Sequence, residues 1–431
     1  MTTKTPKARK VKAKDIPIYW AASKIKLEPE RLERLGKVLG FEGGNGKCAL
    51  VYLNEDSEIV RSIMPNARMM ISGQQTERAA GAVMRVPFAE FQGTRWAYSD
   101  AIFNIPGGRV DAFQGSEERY GSAEHIFSLL VMMAENDLPD GAYRLLVTVP
   151  PGFYSQVESR VIQRFMAGDP LKVNKRDEPS GVWQITLSKD NIRRTYSFSN
   201  VKVIMEAADA GYAAFCYDLN GNIVRVNGPD GQDLLSGMVR LLDAGFGTFD
   251  SPTLFDGQLI EDRLQSASDS RGGIMHNLAR PLIDKIIETQ PQVGSWLTPA
   301  HVDYWLRRYA TGYTDANGNA VTGWTEASGT VSIGGKAIGL KAMIDHLSQE
   351  YARTYIWPKI VGTPGDAVDA LIAIGGGWLY THSTIQQWHR EYHVPTRFIS
   401  YLDFPHLKKF SWVDINLVGI MQVAALIDWS K

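Results

Sequence analysis

The sequence has few cysteines, almost no net charge and no long apolar run. Its 431 residues include two cysteines, Cys48 and Cys216, and 46 lysines and arginines against 47 aspartates and glutamates. Both cysteines fall in predicted core elements, so we expect buried free thiols, as suits a reducing cytoplasm. The formal net charge of −1 gives no bias towards nucleic acid, and direct nucleic-acid binding is not expected. Because no apolar stretch is long enough to cross a bilayer and no signal-like block follows the start, we expect neither a membrane span nor export.

Positive charge is concentrated at the start of the chain. The basic residues there are Lys4, Lys7, Arg9, Lys10, Lys12 and Lys14. We favour a disordered, solubilising tail over a contact with nucleic acid or with an acidic partner. The length of the chain and its 44% apolar content fit a globular protein of about two to three folding units.

The most informative stretch runs from Asp243 to Asp250 and follows an apolar segment that predicts a buried strand. Glycines at 245 and 247 would let the backbone turn tightly and present N–H groups to an anion. A carboxylate at the end of the strand could hold hydrated Mg²⁺ against phosphate oxygens, with the Thr248 hydroxyl close by. The stretch therefore predicts a phosphate clamp; the alternative is an ordinary strand-to-hairpin turn.

A second glycine turn lies near the start of the chain. Glu42 and the residues Gly43 to Lys47 precede Cys48–Leu53, which predicts a return strand. Such a hairpin has a tip that can approach phosphates closely. A P-loop is excluded, because Phe41 stands where its first glycine belongs and Cys48 replaces the hydroxyl that binds Mg²⁺.

A third glycine turn lies near the end of the chain. An apolar strand ending at Ile374 runs into three glycines, 375 to 377, and then into a predicted helix. Glycines there permit close approach of a flat ring or a sugar, and the start of the helix favours anions. Three such turns are far less expected by chance than any one of them.

In this order the three turns resemble the actin-like ATPases, and within them the ParM and Alp type of bacterial and archaeal filament proteins. The first hairpin resembles the first phosphate loop of that family, Asp243–Asp250 its second phosphate loop, and Ile374–Gly377 its adenosine motif. Val203–Gly211 is similar to the segment that carries the family's water-orienting acidic residue. Two shorter motifs agree: Asp269–Gly273 resembles a Ser-x-Gly turn behind the nucleotide, and Ile415–Gly419 an Asn-x-x-Gly motif that opens the last helix.

The resemblance covers roughly residues 37 to 428 and implies an α/β, actin-like (ribonuclease H-like) fold of two domains with a nucleotide cleft between them. It assigns residues 1–36 to a basic tail and an added helix. Domain I would comprise residues 37–240 with a helix at 413–428 returning to it, and domain II residues 241–412. This arrangement would place the three turns around one nucleotide.

The resemblance also implies the site residues. The catalytic residues would be Glu206, which orients the attacking water, and Asp243, and the Mg²⁺ would be held by Asp243 and Glu42. The nucleotide-binding residues would be Gly44, Asn45, Gly46, Lys47, Gly245, Phe246, Gly247, Thr248, Gly272, Gly273, Gly375, Gly376 and Gly377.

Two positions depart from the pattern of that family. Most relatives carry Asp where this chain has Glu42, so the Mg²⁺ geometry would rest on a longer side chain or mainly on Asp243. Relatives often carry a phosphate-binding Lys on the return strand, where this chain has Ala49. Lys47 lies two positions earlier and could reach the same face.

The function implied by the resemblance is hydrolysis of ATP with Mg²⁺, coupled to assembly of a self-associating filament. The filament would move or position DNA, as in plasmid segregation, through a DNA-binding adaptor, or would serve as a cytoskeletal element. The alternative is a small-molecule, sugar-type kinase of the same superfold, which would need a base for a substrate hydroxyl. A chaperone ATPase would need a peptide-binding domain after the last helix and is not favoured.

Periodicity predicts several elements that lie beyond the turns. A helix is expected from Leu27 to Leu39 and a buried helix from Ala123 to Asn136. The second half should contain a helix from Gly273 to Glu288, a polar hairpin region from Val321 to Ile338 and a long helix from Lys341 to Ile360. An exposed loop is expected around residues 315–323.

Overall fold

A computed structural model of the protein describes residues 19–24, 27–71, 86–99, 102–103, 110–112, 116–171, 181–228, 231–264, 266–309, 330–333, 336–362 and 368–429. The basic start of the chain and the loop predicted around 315–323 lie outside the described residues. Within them, no helix has both the length and the apolar character needed to cross a bilayer.

The first half of the chain supplies the strands of one large sheet. In chain order they are β1 (Tyr19–Lys24), β2 (Val38–Gly43), β3 (Lys47–Leu53), β4 (Glu58–Pro65), β5 (Ala67–Met70), β6 (Phe88–Phe91), β7 (Thr94–Ala97), β8 (Asp111–Ala112), β9 (Gly141–Val149), β10 (Val182–Leu187) and β11 (Arg193–Met205). Their spatial order is β1-β4-β3-β2-β9-β11-β10-β6-β7-β5-β8. The pairs β2–β9 and β9–β11 are parallel, so these three strands end at the same edge of the sheet.

The second half supplies a smaller sheet and a separate hairpin. In chain order the strands are β12 (Met238–Ala244), β13 (Phe249–Asp250), β14 (Thr253–Phe255), β15 (Gln258–Leu259), β16 (Ser268–Asp269), β17 (Thr330–Ile333), β18 (Lys336–Gly339), β19 (Ala370–Ile374) and β20 (Arg397–Ile399). Strands β17 and β18 pair only with each other among the described strands. Strand β12 pairs in parallel with β19, which pairs in parallel with β20. The carboxyl ends of β12 and β19 therefore also meet at one edge.

Helices cover the sheets. In chain order they are α1 (Pro29–Leu35), α2 (Ala123–Glu135), α3 (Tyr154–Ala167), α4 (Ala210–Cys216), α5 (Arg280–Thr289), α6 (Pro299–Tyr309), α7 (Lys341–Tyr351), α8 (Trp357–Val361), α9 (Trp378–Glu391) and α10 (Ile415–Leu426). Short π-helical turns, Met275–Ala279 and Ala352–Ile356, lead into α5 and connect α7 to α8. Helix α2 is buried from His125 to Glu135, as its continuous apolar run predicts.

The last helix, α10, joins the two halves of the molecule. One apolar cluster contains Leu146 and Ile204 from the first sheet, Ile372 from the second and Ile415 from α10. Gly419 allows this packing, because a Cβ there would lie within 1.6 Å of the carbonyl oxygen of Ala210 in α4. The Asn-x-x-Gly motif thus has a packing function: it lets two helices cross with their backbones in contact.

The fold departs from the predictions near the start of the chain. The helix expected from Leu27 to Leu39 is shorter, because it begins at Pro29 and ends before Gly36. Strand β2 begins two residues later, at Val38. Residues 19–24, which were assigned to the tail and the added helix, form β1 instead and pair antiparallel with β4. The strand was missed because its pairing partner lies about forty residues away in sequence, and local patterns do not show such pairing.

The other predicted elements match well. The helix predicted from Gly273 forms through the π turn and α5, and that from Lys341 through α7, the second π turn and α8. The hairpin predicted within 321–338 is β17–β18, and residues 321–329 lie outside the described part of the chain. Both cysteines are free; Cys48 is buried and Cys216 is half-buried.

Candidate active site

The carboxyl ends of parallel strands from both sheets face one cleft. Glu42, Pro150 and Glu206 lie at or just after the ends of β2, β9 and β11, and Asp243 and Gly375 at the ends of β12 and β19. All five line the same cleft, which is open to solvent on one side. The site therefore lies where strand ends commonly create a ligand crevice in α/β proteins.

The first glycine turn links β2 to β3 and is held by side chains. Gly44, Asn45, Gly46 and Lys47 all line the cleft. Asn66 fixes the turn twice: its backbone N–H donates to the Gly46 carbonyl at 3.0 Å, and its Nδ2 donates to the Gly44 carbonyl at 2.6 Å.

Lys47 extends into the cleft from the start of β3. Its Nζ lies 3.2 Å from Glu42 Oε1 and donates to the Val413 carbonyl at 3.2 Å. These contacts hold the Lys47 ammonium beside Glu42 on the cleft wall.

The second glycine turn, between β12 and β13, is held by backbone hydrogen bonds. Gly245 N–H donates to the Thr248 carbonyl at 3.0 Å. The segment that follows the Ser-x-Gly motif supports the turn from behind, since Ile274 N–H donates to the Gly245 carbonyl at 3.0 Å and Met275 N–H to the Phe246 carbonyl at 2.8 Å. Residues 245–248 all line the cleft, which leaves this turn facing the first one.

The third glycine turn packs directly against the end of β12. Gly375 has φ +91°, and a Cβ there would lie 2.1 Å from Asp243 Oδ1. Gly377 N–H donates to the Ala244 carbonyl at 2.8 Å. Gly375 and Gly376 line the cleft, whereas Gly377 faces the strand behind it.

Gly272 and Gly273 lie behind the second turn and do not form part of the described cleft wall. A Cβ on Gly273 would lie 2.5 Å from the Phe246 carbonyl oxygen and 2.8 Å from Thr248 N. The Gly272 carbonyl accepts a hydrogen bond from the Tyr351 hydroxyl at 2.7 Å. These two glycines, like Gly377, support the loops that line the cleft.

Glu206 is presented to the cleft by a strained turn at the end of β11. Its backbone N–H donates to the Val149 carbonyl at 2.8 Å, and the next residue, Ala207, is buried with φ +49°. A left-handed conformation at a buried residue other than glycine costs free energy and is concentrated at functional sites. The Glu206 side chain lies 3.5 Å from the Thr148 hydroxyl.

The cleft is strongly acidic. Glu42, Glu206, Asp243 and Asp250 are all buried. Burial raises the pKa of Asp243 to about 6, and burial and the neighbouring Asp243 raise the pKa of Asp250 to about 7. Burial and the other three carboxylates raise the pKa of Glu206 well above its ordinary value.

Hydrogen bonds compensate part of this burial. Asn416 Nδ2, at the start of α10, donates to Asp243 Oδ2 at 2.9 Å, and the Thr248 hydroxyl donates to Asp250 Oδ2 at 2.9 Å. Asp250 Oδ1 has no hydrogen-bond partner among the described residues. Buried carboxylates with raised pKa values and an unpartnered oxygen are suited to a bound cation.

The described side chains do not form a direct metal-binding cluster. Among the described residues, no three carboxylate, histidine or cysteine side chains converge to ligate one ion directly. A Mg²⁺ ion beside Asp243 and Glu42 would therefore keep most of its water molecules, as Mg²⁺ prefers.

The solved structures that match this chain share its overall architecture. One is the crystal structure of Ta0583, an archaeal actin homologue, with a TM-score of 0.55 and 16% identity, covering 91% of this chain and 100% of that one. Another is Bacillus thuringiensis ParM with AMPPNP, with a TM-score of 0.56 and 12% identity over 90% and 98% of the two chains. The actin-like protein Alp7A matches with a TM-score of 0.57 and 12% identity over 90% and 95%.

The chain has an actin-like fold. This confirms the fold class that the three glycine turns predict. No protein-family model matches the chain, and no curated protein matches its sequence.

Several residues of this actin-like cleft were not predicted from the sequence. Arg119, Tyr120, Asp303, Tyr380 and Trp412 line it. Tyr380 follows the third glycine turn in α9, whereas the other four lie outside the glycine motifs. Only the folded topology brings those four to the strand ends, so the sequence contained no local signal for them.

Proposed function

We propose that this cleft binds ATP with Mg²⁺ and hydrolyses the terminal phosphoanhydride bond. The observation that carries the proposal is the convergence of the three glycine turns and Glu206 on one cleft. Further support comes from the actin-like fold, since ParM from Bacillus thuringiensis was solved with AMPPNP, with ADP and with ATP. Residues 37–240 with 413–428 would form one domain and residues 241–412 the other.

The two facing turns would hold the phosphate chain. Backbone N–H groups of 44–47 and 245–248, together with the Lys47 ammonium, would donate to its oxygens and stabilise the charge that develops during transfer. A Mg²⁺ ion held through water by Asp243 and Glu42 would supply positive charge against the same oxygens. Gly375 and Gly376 would lie against the nucleoside.

Glu206 would act as the base for the attacking water. The water oxygen forms a bond to the terminal phosphorus, the bond to the bridging oxygen breaks, and Glu206 accepts the proton released by the water. The products are ADP and inorganic phosphate. Burial and the neighbouring carboxylates raise the pKa of Glu206, so we infer that Mg²⁺ bound among those carboxylates would favour its ionised form.

Replacing Glu206 tests this mechanism. Glu206→Ala should retain ATP binding while phosphate release slows about 10²–10⁴-fold, the usual contribution of a positioned base. Glu90→Ala, which changes an exposed glutamate paired with Arg95, should behave like wild type. Both quantities can be measured by calorimetric titration and a phosphate-release assay, and undiminished turnover would remove Glu206 from the mechanism.

We also propose that ATP binding drives head-to-tail self-assembly into filaments that weaken after hydrolysis. A heterologous contact that does not close by rotation produces an open filament. The likeness to an archaeal actin homologue and to ParM supports this proposal. With a net charge of −1, a filament that segregates plasmids or other DNA in the cytoplasm would require a DNA-binding adaptor.

Adding nucleotide to purified protein separates the filament from the kinase alternative. With ATP and Mg²⁺, light scattering and the sedimentable fraction should rise, and electron micrographs should show filaments. Turnover that requires a sugar or another hydroxyl substrate, without assembly, would identify a small-molecule kinase instead.

A further inference from the structure

One cation of the cleft lacks a carboxylate partner. Two cationic side chains line the cleft, Lys47 and Arg119, and Lys47 is paired with Glu42. Arg119 is 6% exposed and forms no ion pair with any described carboxylate, although five buried carboxylates among the described residues line the same cleft.

Neutral groups hold the Arg119 guanidinium in place. Nη1 donates to Asn45 Oδ1 of the first glycine turn at 2.8 Å, and Nη2 donates to the Tyr120 hydroxyl at 2.6 Å. The buried Nε has no hydrogen-bond partner among the described residues. A buried guanidinium with a free N–H and no ion-pair partner among the described residues costs free energy unless a ligand supplies an anion in contact with it.

The position of Arg119 indicates which part of a ligand it would meet. Through Asn45 it contacts the tip of the first turn, and Asn45 packs so closely on the second turn that a Cβ on Gly247 would lie 1.8 Å from its Nδ2. Burial and neighbouring carboxylates raise the pKa of Glu206, and the charge of Arg119 opposes that rise. Arg119 therefore lies near both the first and the second glycine turn, and close enough to Glu206, the proposed base, for its charge to act on that carboxyl group.

We propose that Arg119 binds the terminal phosphoryl group of ATP and stabilises its charge during hydrolysis. This rests on the proposed ATPase function and extends it. The planar guanidinium suits phosphate oxygens, and the free Nε–H supplies a donor that the apo cleft does not use. Since ADP lacks the terminal group, Arg119 would also make the site distinguish ATP from ADP.

Arg160 provides a matched control. It fixes the same 117–120 turn from outside the cleft, since its Nε donates to the Tyr120 carbonyl at 3.0 Å and its Nη2 to the Glu117 carbonyl. If Arg119 acts only by holding this turn, loss of Arg160 should have a similar effect. If Arg119 binds phosphate, the two variants should differ sharply.

The test compares Arg119→Gln, Arg119→Lys and Arg160→Gln in the full chain. For Arg119→Gln we expect kcat to fall about 10²–10³-fold, as on loss of one preorganised donor to a transition state. The Kd for AMPPNP should rise more than the Kd for ADP, because both nucleotides depend on the turn that Arg119 helps to hold but only AMPPNP carries the terminal group. Arg119→Lys keeps the charge and should recover part of the rate, and it also serves if Arg119→Gln fails to fold by circular dichroism. Arg160→Gln should bind both nucleotides like wild type.

Other outcomes would overturn the proposal. Wild-type turnover in Arg119→Gln would exclude a contact with the terminal phosphate. If Arg119→Gln does not fold, full wild-type turnover in Arg119→Lys would exclude that contact. Parallel weakening of AMPPNP and ADP, shared by Arg160→Gln, would show a purely structural role. If the wild-type protein itself binds neither nucleotide, the proposed ATPase function fails first, and the wild-type titration reveals that directly.

Discussion

The first and second glycine turns, which we propose to bind the phosphates, are built by different means. The first, residues 44–46, is fixed by side chains from elsewhere, notably Asn66 and Arg119. The second, residues 245–248, is fixed by its own backbone and by the backbone of 273–275. Single side-chain substitutions can therefore change how firmly the first turn is held, whereas the conformation of the second turn depends on close contact between backbone segments.

The same difference explains which parts of the site the sequence could reveal. Close backbone contact requires glycine, so the second turn and its support leave a visible pattern at Gly245 and Gly273. The first turn leaves only its own glycines, because Asn66 and Arg119 lie in unremarkable sequence. Three substitutions test whether the two turns differ in this way.

Gly273→Ala should be the most damaging change. The new Cβ would meet the Phe246 carbonyl oxygen at 2.5 Å and Thr248 N at 2.8 Å, and neither backbone atom can move without distorting the second turn. We expect the free energy of unfolding to fall by about 3 kcal/mol, the upper part of the range for overpacking, and nucleotide binding to be lost. Urea denaturation and calorimetric titration measure the two effects.

Gly339→Ala is the control for this change, because no atom lies within 4 Å of its Cβ position. It should leave stability and binding close to wild type. Equal behaviour of the two alanine variants would show that backbone contact does not build the second turn.

The two buried aspartates on either side of the second glycine turn, Asp243 and Asp250, should make the nucleotide-free protein less stable as the pH rises. In the unfolded chain the carboxyl groups lose their protons near the ordinary value of 3.8, whereas burial holds Asp243 and Asp250 protonated to about 6 and about 7 in the folded state. Between these values the folded state binds more protons, so raising the pH favours unfolding. The free energy of unfolding from these groups should therefore decrease from pH 5 to pH 8.

Asp250→Asn should reduce this pH dependence, measured as the difference in unfolding free energy between pH 5 and pH 8. Asp345→Asn, which alters an exposed carboxylate paired with Lys341, should not reduce it. An Asp250→Asn protein with the full wild-type slope would contradict the assignment of the slope to the cleft.

Asn66→Ala should have a smaller effect, confined to the first turn. It removes the hydrogen bond from Nδ2 to the Gly44 carbonyl and should cost about 1 kcal/mol of stability, with weaker nucleotide binding because the turn is no longer fixed. Asn54→Ala is a matched control, since Asn54 Oδ1 accepts from Glu58 N–H at 2.8 Å in the β3–β4 turn outside the described cleft wall. It should lower stability similarly without changing nucleotide affinity, and equal affinities for the two variants would argue against a role for Asn66 in binding.

Sequence reasoning was most successful where chemistry is local. Helix α2 and the strands that end in glycine turns follow from apolar runs and turn residues, and the three turns do meet in one cleft. Strand β1 was not predicted, because it forms by pairing with a strand that is distant in sequence. Helix α1 was predicted too long, because the chain leaves the helix at Gly36 although the leucine spacing continues. Helix α6, which brings Asp303 to the cleft, was also missed.

A crystal structure with AMPPNP and Mg²⁺ would show whether the first and second glycine turns bind the phosphates together. We expect the phosphates to lie between residues 44–47 and 245–248, with backbone N–H groups of both turns donating to them and Glu206 facing the terminal phosphorus. A nucleotide bound at another surface, or phosphates held by one turn alone, would contradict this expectation.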